Sequence, residues 1–195
     1  MIDVILSARC VRKLKRELKN AGQNEIGGVM AAEQIADGQF VVRDLSVQRN
    51  GTPTSFVRDP LQHRKFMRRF RMLTGNNHER FNYLGEWHSH PSFLALPSPP
   101  DVWSMQEEMH DPEQASSFLV LLILKLGRSG RLVGSTHAFR RAQAPIRVRL
   151  GASDGVSVQE EEGFRATGPW RSLQHDQGAV TPAKTLSQRI LRRLL

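Results

Sequence analysis

The chain contains one cysteine and no long apolar run. The single cysteine, Cys10, excludes an intramolecular disulfide and a cysteine-based zinc finger, so a metal site in this chain must use histidine and carboxylate. The longest apolar stretch, residues 118–124, has the length of a strand and is too short to span a membrane. The N-terminus lacks the basic region of a secretory signal. We therefore expect a cytoplasmic protein that does not associate with membranes.

Acidic residues are also scarce, at 19 against 28 lysines and arginines, which gives a net charge of +9. The excess is spread along the chain, and a spread excess favours solvated helix faces over a dedicated nucleic-acid surface. Electrostatic attraction of an acidic protein substrate is a third interpretation. We expect no nucleic-acid partner. The basic stretches are residues 12–19, 64–71, 140–149 and 189–193.

Two histidines separated by one residue, His88 and His90, stand directly before Pro91. On a strand, residues two apart point to the same side, with Cα atoms roughly 6–7 Å apart. Both imidazoles can then reach one zinc ion at about 2.0–2.1 Å. Pro91 prevents the strand from continuing as a regular ladder.

A second element, Ser98-Pro99-Pro100-Asp101, has the features of a helix start: a capping residue, early prolines and an acid in the first turn. This turn can return the Asp101 carboxylate to the ion held by the histidines. Three protein ligands leave the fourth tetrahedral position for water, which is typical of a catalytic rather than a structural zinc site.

Upstream, Glu25 precedes the Gly27-Gly28 pair and an apolar run. A zinc hydrolase needs a carboxylate that contacts the water and not the metal, and Glu25 is our candidate for this general base. The glycine pair predicts a bulge or the close approach of another backbone, which suits a carboxylate that must lie near a metal.

Glu25, then His88-x-His90-Pro91, six residues, and Ser98-x-x-Asp101 resemble the motif of the JAMM (JAB/MPN) metalloprotease family at every position. The resemblance extends over roughly residues 1–150. The stretch from Gly85 to Pro91 is more similar to bacterial JAB proteins encoded beside E1-like and E2-like enzymes than to eukaryotic members. The resemblance implies an MPN α/β sandwich, related to cytidine deaminases, with a mixed, mostly antiparallel sheet flanked by helices.

The resemblance also implies an activity: zinc-dependent cleavage of a peptide or isopeptide bond after the C-terminal glycine of a ubiquitin-like modifier. We expect one Zn²⁺ per chain, and partners that include the modifier or its conjugate and possible E1-like and E2-like proteins of an antiviral conjugation system.

Ser98 would stabilise the oxyanion, act as a helix cap, or do both. Residues 43–58 form either a substrate loop or a plain surface loop. Glu86 orients a zinc histidine or is a surface charge.

Periodicity predicts helices from Ser7 to Asn20, from Asp59 to Leu73 and from Asp101 to His110. Predicted strands cover residues 25–32, 40–47, 81–90, 118–124, 132–139 and 146–150. We divide the chain into a JAB/MPN domain, residues 1–150, and a linker or arm, residues 151–195, that ends in an amphipathic helix from Thr185. That helix docks on its own domain or mediates homo-oligomerisation, with a partner-binding or membrane-surface role as the alternative.

Three other functions compete with the enzyme hypothesis. A non-catalytic MPN scaffold would be expected to lack one or more motif residues, whereas this chain has all of them. A nucleic-acid-associated protein of the RadC type would carry Asn between the histidines, where this chain has Ser89. A JAB peptidase of cell-wall or phage-tail peptides would be accompanied by a further module, and none is recognisable.

Overall fold

The computed structural model describes residues 1–112, 114–153 and 158–162. All of these belong to one compact unit that spans Met1–Phe164. Within these residues no helix is both long and apolar enough to cross a membrane. The predicted C-terminal helix and its proposed role in oligomerisation lie outside the described residues.

Each helix of the described chain begins at the polar residue that the sequence indicates. Ser7 accepts a hydrogen bond from the Cys10 amide, and Asp59 accepts from the Leu61 amide at 2.8 Å. Ser98 caps the third helix. Side-chain caps satisfy amides that have no partner inside the helix, which explains why these residues mark the starts so well. The helices are α1 (Ala8–Ala21), α2 (Pro60–Leu73) and α3 (Pro99–His110).

Eight strands occur in the described residues, six of them near the predicted positions. The two that the sequence analysis missed are the short first and last strands, β1 and β8. The strands are β1 (Asp3–Leu6), β2 (Gly27–Ala36), β3 (Gln39–Leu45), β4 (Phe81–Ser89), β5 (Leu119–Leu126), β6 (Leu132–Phe139), β7 (Ile146–Ala152) and β8 (Val158–Glu160).

These strands form one mixed sheet in the order β5-β4-β2-β3-β1-β7-β6-β8. Since β5 also pairs with β6, the sheet closes on itself. Parallel and antiparallel pairings are equally frequent among the described strands, but the longest ladders, β2–β4 and β5–β6, are antiparallel. The predicted α/β architecture with a mixed sheet is confirmed.

The main core lies between the sheet and the apolar face of α1. Val11, Leu14 and Leu18 of this helix are buried against strand residues such as Leu122 and Trp87. The central strand β5 is buried from Leu119 to Leu124, as its continuous apolar sequence predicts. A smaller cluster packs α2 onto the start of β2 and β4. The strands that carry the site described below are therefore packed into this core.

Residues 151–162 are partly bound to the sheet. β7 continues to Ala152, and β8 pairs in parallel with β6, with Leu132 opposite Val158. The described part of the predicted linker thus extends the sheet. The division of the chain at residue 150 stays a prediction, because most of residues 151–195 lie outside the description.

Candidate active site

The two motif histidines lie at the end of β4, where this strand is flanked by β2 and β5. His88 pairs with Gly27 on one side and Ile123 on the other. The His90 amide continues the ladder by donating to the Leu124 carbonyl at 2.9 Å. Both rings are buried, and their Nε2 atoms lie 3.1 Å apart. The period of two along the strand therefore does bring both imidazoles to one point.

Ser89, between the histidines, binds the segment that carries Glu25. Its Oγ accepts a hydrogen bond from the Ile26 amide at 3.0 Å, and its own amide donates to the Ile26 carbonyl at 2.8 Å. The residue next to Glu25 is thus fixed to the residue between the two histidines. The backbone segments that carry Glu25 and the two histidines are therefore hydrogen-bonded to each other.

Asp101, in the first turn of α3, completes the group. Its Oδ1 lies 3.2 Å from His88 Nε2, and its Oδ2 lies 3.6 Å from His90 Nε2. Burial alone would raise the pKa of Asp101, but the hydrogen bonds from His88 and from the Ser98 side chain and backbone outweigh it and hold this pKa well below its usual range. Asp101 is therefore an ionised acceptor at neutral pH.

The donor set fits a tetrahedral zinc ion. His88, His90 and Asp101 each offer one ligand atom, and these atoms all lie within 4.8 Å of one another. At zinc–ligand distances of about 2.0–2.1 Å, tetrahedral ligand atoms are about 3.3 Å apart. The two Nε2 atoms are 3.1 Å apart and His88 Nε2 lies 3.2 Å from Asp101 Oδ1, both close to this value, while His90 Nε2 lies 3.6 Å from the other carboxylate oxygen. Two imidazoles and a carboxylate are also the ligand types of catalytic zinc sites.

Glu25 lies just before β2, and its amide donates to the Thr52 carbonyl at 2.8 Å. The residue is buried, and burial raises the pKa of its carboxyl group, an effect that His88 partly offsets and Asp101 reinforces. A raised pKa makes a carboxylate a stronger base, which suits the role predicted for Glu25.

The site opens into a cavity of about 480 Å³. Its polar lining residues are Glu25, Thr54, His90 and Ser98, and its apolar lining residues are Phe93, Leu94 and Leu96.

Gly27 has no side chain, and this allows the Phe56 ring to approach His88. The Phe56 ring stacks on the His88 imidazole with a centroid distance of 6.5 Å. A Cβ at Gly27 would lie 2.6 Å from both the Phe56 ring and the Trp87 carbonyl. The close approach predicted from the glycine pair is confirmed, and it involves a side chain as well as a backbone.

Ser98 acts as a helix cap in this structure. Its Oγ donates to Asp101 Oδ2 at 2.6 Å, and its amide donates to the same oxygen at 2.7 Å. The Asp101 amide in turn lies 3.4 Å from Ser98 Oγ. The hydroxyl therefore orients a candidate metal ligand while its residue also lines the cavity. Its predicted contact with the oxyanion stays a prediction.

Glu86 forms an ion pair with Arg58, and this partner distinguishes it from both predicted roles. The Arg58 side chain also binds Glu108 of α3 at 3.1 Å, and the Tyr83 hydroxyl donates to Glu108 at 3.0 Å. No sequence pattern indicates this group, because its members come from a loop, a strand and a helix. Of the two candidate ligand histidines, His90 has its second ring nitrogen next to a backbone carbonyl, with Nδ1 3.0 Å from the Leu94 oxygen.

Comparison with known proteins agrees with this geometry. The model of the family described as prokaryotic homologs of the JAB domain matches residues 7–141. The chain belongs to this family. The family assignment made from the motif is therefore confirmed, and with it the MPN-type α/β fold.

The chain is similar in sequence to the CD-NTase/cGAS isopeptidase of Enterobacter hormaechei subsp. hoffmannii (strain UCI 50). It is 26% identical over 153 residues, which cover 76% of this chain and 82% of the relative. The chain thus aligns with most of a protein named as an isopeptidase. This agreement and the family match support hydrolase activity.

Among solved structures, the protein DSY2949 from Desulfitobacterium hafniense is similar with a TM-score of 0.56 and 17% identity, over 78% of this chain and 94% of that one. AF2198, a JAB1/MPN domain protein from Archaeoglobus fulgidus, matches with a TM-score of 0.40 and 13% identity, over 76% of this chain and 97% of that one. At this identity the first likeness concerns the fold alone.

Proposed function

We propose that this JAB-family chain is a zinc-dependent peptidase and isopeptidase that cleaves after the C-terminal glycine of a ubiquitin-like modifier. The observation that carries the proposal is the convergence of His88, His90 and Asp101 beside a cavity that Glu25 also lines. The intact donor set favours an enzyme over a scaffold.

In the proposed mechanism, His88, His90 and Asp101 would hold the zinc ion, which when bound would supply Lewis acidity and lower the pKa of water to about 7. Glu25 accepts a proton from the attacking water and passes it to the leaving amine nitrogen. Its raised pKa and its position on the cavity wall support both transfers. Ser98 orients Asp101 and donates to the developing oxyanion, which requires its hydroxyl to turn from Asp101 towards the substrate.

The substrate part of the proposal rests on the lining of the cavity and on the named relative. A glycine tail lacks side chains and needs little room in the cavity, where Phe93, Leu94 and Leu96 offer apolar surface close to His90. The relative's name links isopeptidase activity to CD-NTases. We extend this to the present chain and propose that the bond it cleaves joins the modifier to a CD-NTase. The chain would then act in an antiviral system with E1-like and E2-like partners.

The decisive experiment measures zinc content and cleavage together. Purified protein should hold about one zinc per chain. It should remove a C-terminal extension from a ubiquitin-like protein far faster than it cuts a short unrelated peptide of the same length. Glu107 is an exposed acid on α3 outside the site, so the control variant Glu107→Gln should behave like wild type in both measurements. Absence of zinc after loading would contradict the enzyme hypothesis, and equal rates on both substrates would contradict the modifier.

A further inference from the structure

The loop of residues 91–97 joins one candidate ligand to the next, since it follows His90 and precedes the cap of α3. Its Leu94 carbonyl lies 3.0 Å from His90 Nδ1. For a metal-binding histidine, the partner of the second ring nitrogen fixes the tautomer and the ring orientation. The position of this loop therefore decides how His90 presents Nε2 to a metal.

Apolar contacts alone do not hold this loop. Phe93 and Leu94 have exposed fractions of 53% and 58%, so both side chains lie largely in solvent. Ala95, by contrast, is completely buried and has polar partners on both sides of its backbone. Its carbonyl accepts a hydrogen bond from Ser135 Oγ on β6 at 2.6 Å. Its amide donates to Glu161 Oε2 at 2.8 Å.

Glu161 contacts the loop a second time through Lys125 of β5. The Lys125 ammonium forms an ion pair with the Glu161 carboxylate and donates to the Phe93 carbonyl at 3.2 Å. Burial would raise the pKa of Glu161, but Lys125 and the Ala95 amide outweigh it and keep this pKa below its usual value. The carboxylate is thus charged when it holds the loop.

The carboxylate reaches the loop because β8 brings it there. Glu161 directly follows β8, and its amide donates to the Gly134 carbonyl at 2.8 Å. Its own carbonyl accepts from Arg147 Nη2 at 2.6 Å. Glu161 lies 20 positions beyond the end of the family match at residue 141. The contact therefore comes from a segment outside the residues that the family model matches.

We propose that Glu161 is a positioning residue of the active site: by holding Ala95 and, through Lys125, Phe93, it places the Leu94 carbonyl that orients His90. The proposal rests on the proposed zinc site for its effect on catalysis. Partners of metal ligands commonly contribute 10- to 100-fold in metal affinity. Since Glu161 acts through the loop, we expect about the lower value.

The experiment compares Glu161→Ala with Glu160→Ala. Glu160 is the neighbouring acid on β8 and binds Arg147 and the Leu150 amide, both at 3.2 Å, but it does not contact the loop. Glu161→Ala should raise the zinc dissociation constant about 10-fold. It should lower kcat at saturating zinc with little change in KM, and speed hydrogen exchange of the Ala95 amide. Glu160→Ala should leave all three near wild type.

Two further variants guard against a simple folding defect. Glu161→Gln keeps an oxygen that can accept a hydrogen bond from the Ala95 amide. Hydrogen exchange of this amide should therefore be slower in Glu161→Gln than in Glu161→Ala. Lys125→Met removes the ion pair but leaves that hydrogen bond, so it should weaken zinc binding less than Glu161→Ala does. Wild-type zinc affinity and wild-type Ala95 exchange in Glu161→Ala would overturn the proposal, and so would equal effects of Glu160→Ala.

Failure of the proposed function would look different. If wild-type protein bound no zinc, the enzyme hypothesis would fall, while Ala95 exchange and the ¹⁵N shift of His90 Nδ1 would still test whether Glu161 sets the loop. Unchanged exchange and an unchanged shift in Glu161→Ala would refute the positioning role in that case as well.

Discussion

Two polar clusters lie along β4, and they balance their charges in opposite ways. The Arg58 cluster consists of Arg58, Glu86, Glu108 and Tyr83, and one guanidinium there serves two carboxylates. The histidine site consists of His88, His90, Asp101 and Glu25. In the part of the chain that the structure describes, no lysine or arginine forms an ion pair with either of its carboxylates. Glu86 and His88 are only two residues apart, yet their surroundings differ completely.

The comparison separates a structural cluster from a functional one. Burial would lower the pKa of Arg58, but Glu108 and Tyr83 outweigh it, so the guanidinium stays charged and gives each carboxylate of the cluster a protein cation. The histidine site instead brings two acids and two imidazoles together without a protein cation. Such a site gains most from a bound metal ion, whose charge takes the place of the missing cation.

The strongest test removes a donor from the histidine site. His88→Ala should lose zinc and lower kcat/KM by about 10³-fold or more, because metal catalysis contributes several kcal/mol to the transition state. The apoprotein should unfold at a lower denaturant concentration than wild-type apoprotein, because Asp101 loses the His88 hydrogen bond that keeps its buried carboxylate charged. Metal analysis, kinetics and urea titration measure the three quantities. A folded variant with full zinc and full activity would assign the metal to other residues.

A second test separates base from metal. Glu25→Gln should lower kcat about 10²- to 10⁴-fold while zinc remains bound, because the amide cannot accept the proton of the water. The change is nearly isosteric, so packing against Thr52 and the cavity should persist. Turnover at the wild-type rate would place the general base elsewhere.

The Arg58 cluster should respond in the opposite sense. Arg58→Met leaves Glu86 and Glu108 partly buried without their cation, and we expect a loss of about 3 kcal/mol in the free energy of unfolding. Zinc content should remain near wild type. Adding Glu86→Gln to this variant should recover part of the stability, as urea titrations of the single and double variants would show. Loss of zinc from folded Arg58→Met would mean that the two clusters are not independent.

A smaller effect concerns His137 on β6, an imidazole that belongs to neither cluster. Burial lowers its pKa to about 4, and Arg147 adds to the shift. Between about pH 6.5 and pH 4 the unfolded chain binds a proton that the folded chain does not, so stability falls as the pH falls through this window. Above pH 6.5 both states are neutral and the contribution vanishes.

At pH 5 this difference corresponds to about 2 kcal/mol. His137→Gln should show a correspondingly smaller loss of stability between pH 7.5 and pH 5 than wild type, as urea unfolding at the two values would measure. Identical losses in both proteins would show that His137 is protonated in the folded state.

Local rules were sufficient for much of the fold and for the candidate metal-binding group. Ser7, Asp59 and Ser98 marked the helix starts because a cap acts within three residues. His88 and His90 could be paired because alternation along a strand is equally local. The full apolar run of β5 was recognisable as a buried strand for the same reason.

Contacts between distant segments could not be predicted in this way. β1 and β8 have four and three residues, too few for an alternation pattern, and both are stabilised by pairing with strands far away in sequence. The partner of Glu86 was missed because Arg58 reaches it from a loop. Glu161 gave no signal either, since it lies among the polar residues that were interpreted as a linker.

The bonds between Ser89 and Ile26 have a consequence for protein engineering. They couple the candidate base to the candidate ligands, so neither can be moved by a local change without disturbing the other. A designer who wished to transplant this chemistry into a new scaffold would have to carry both strands across as one piece, with their register intact. Copying the side chains alone would not fix the position of the proton acceptor relative to the metal.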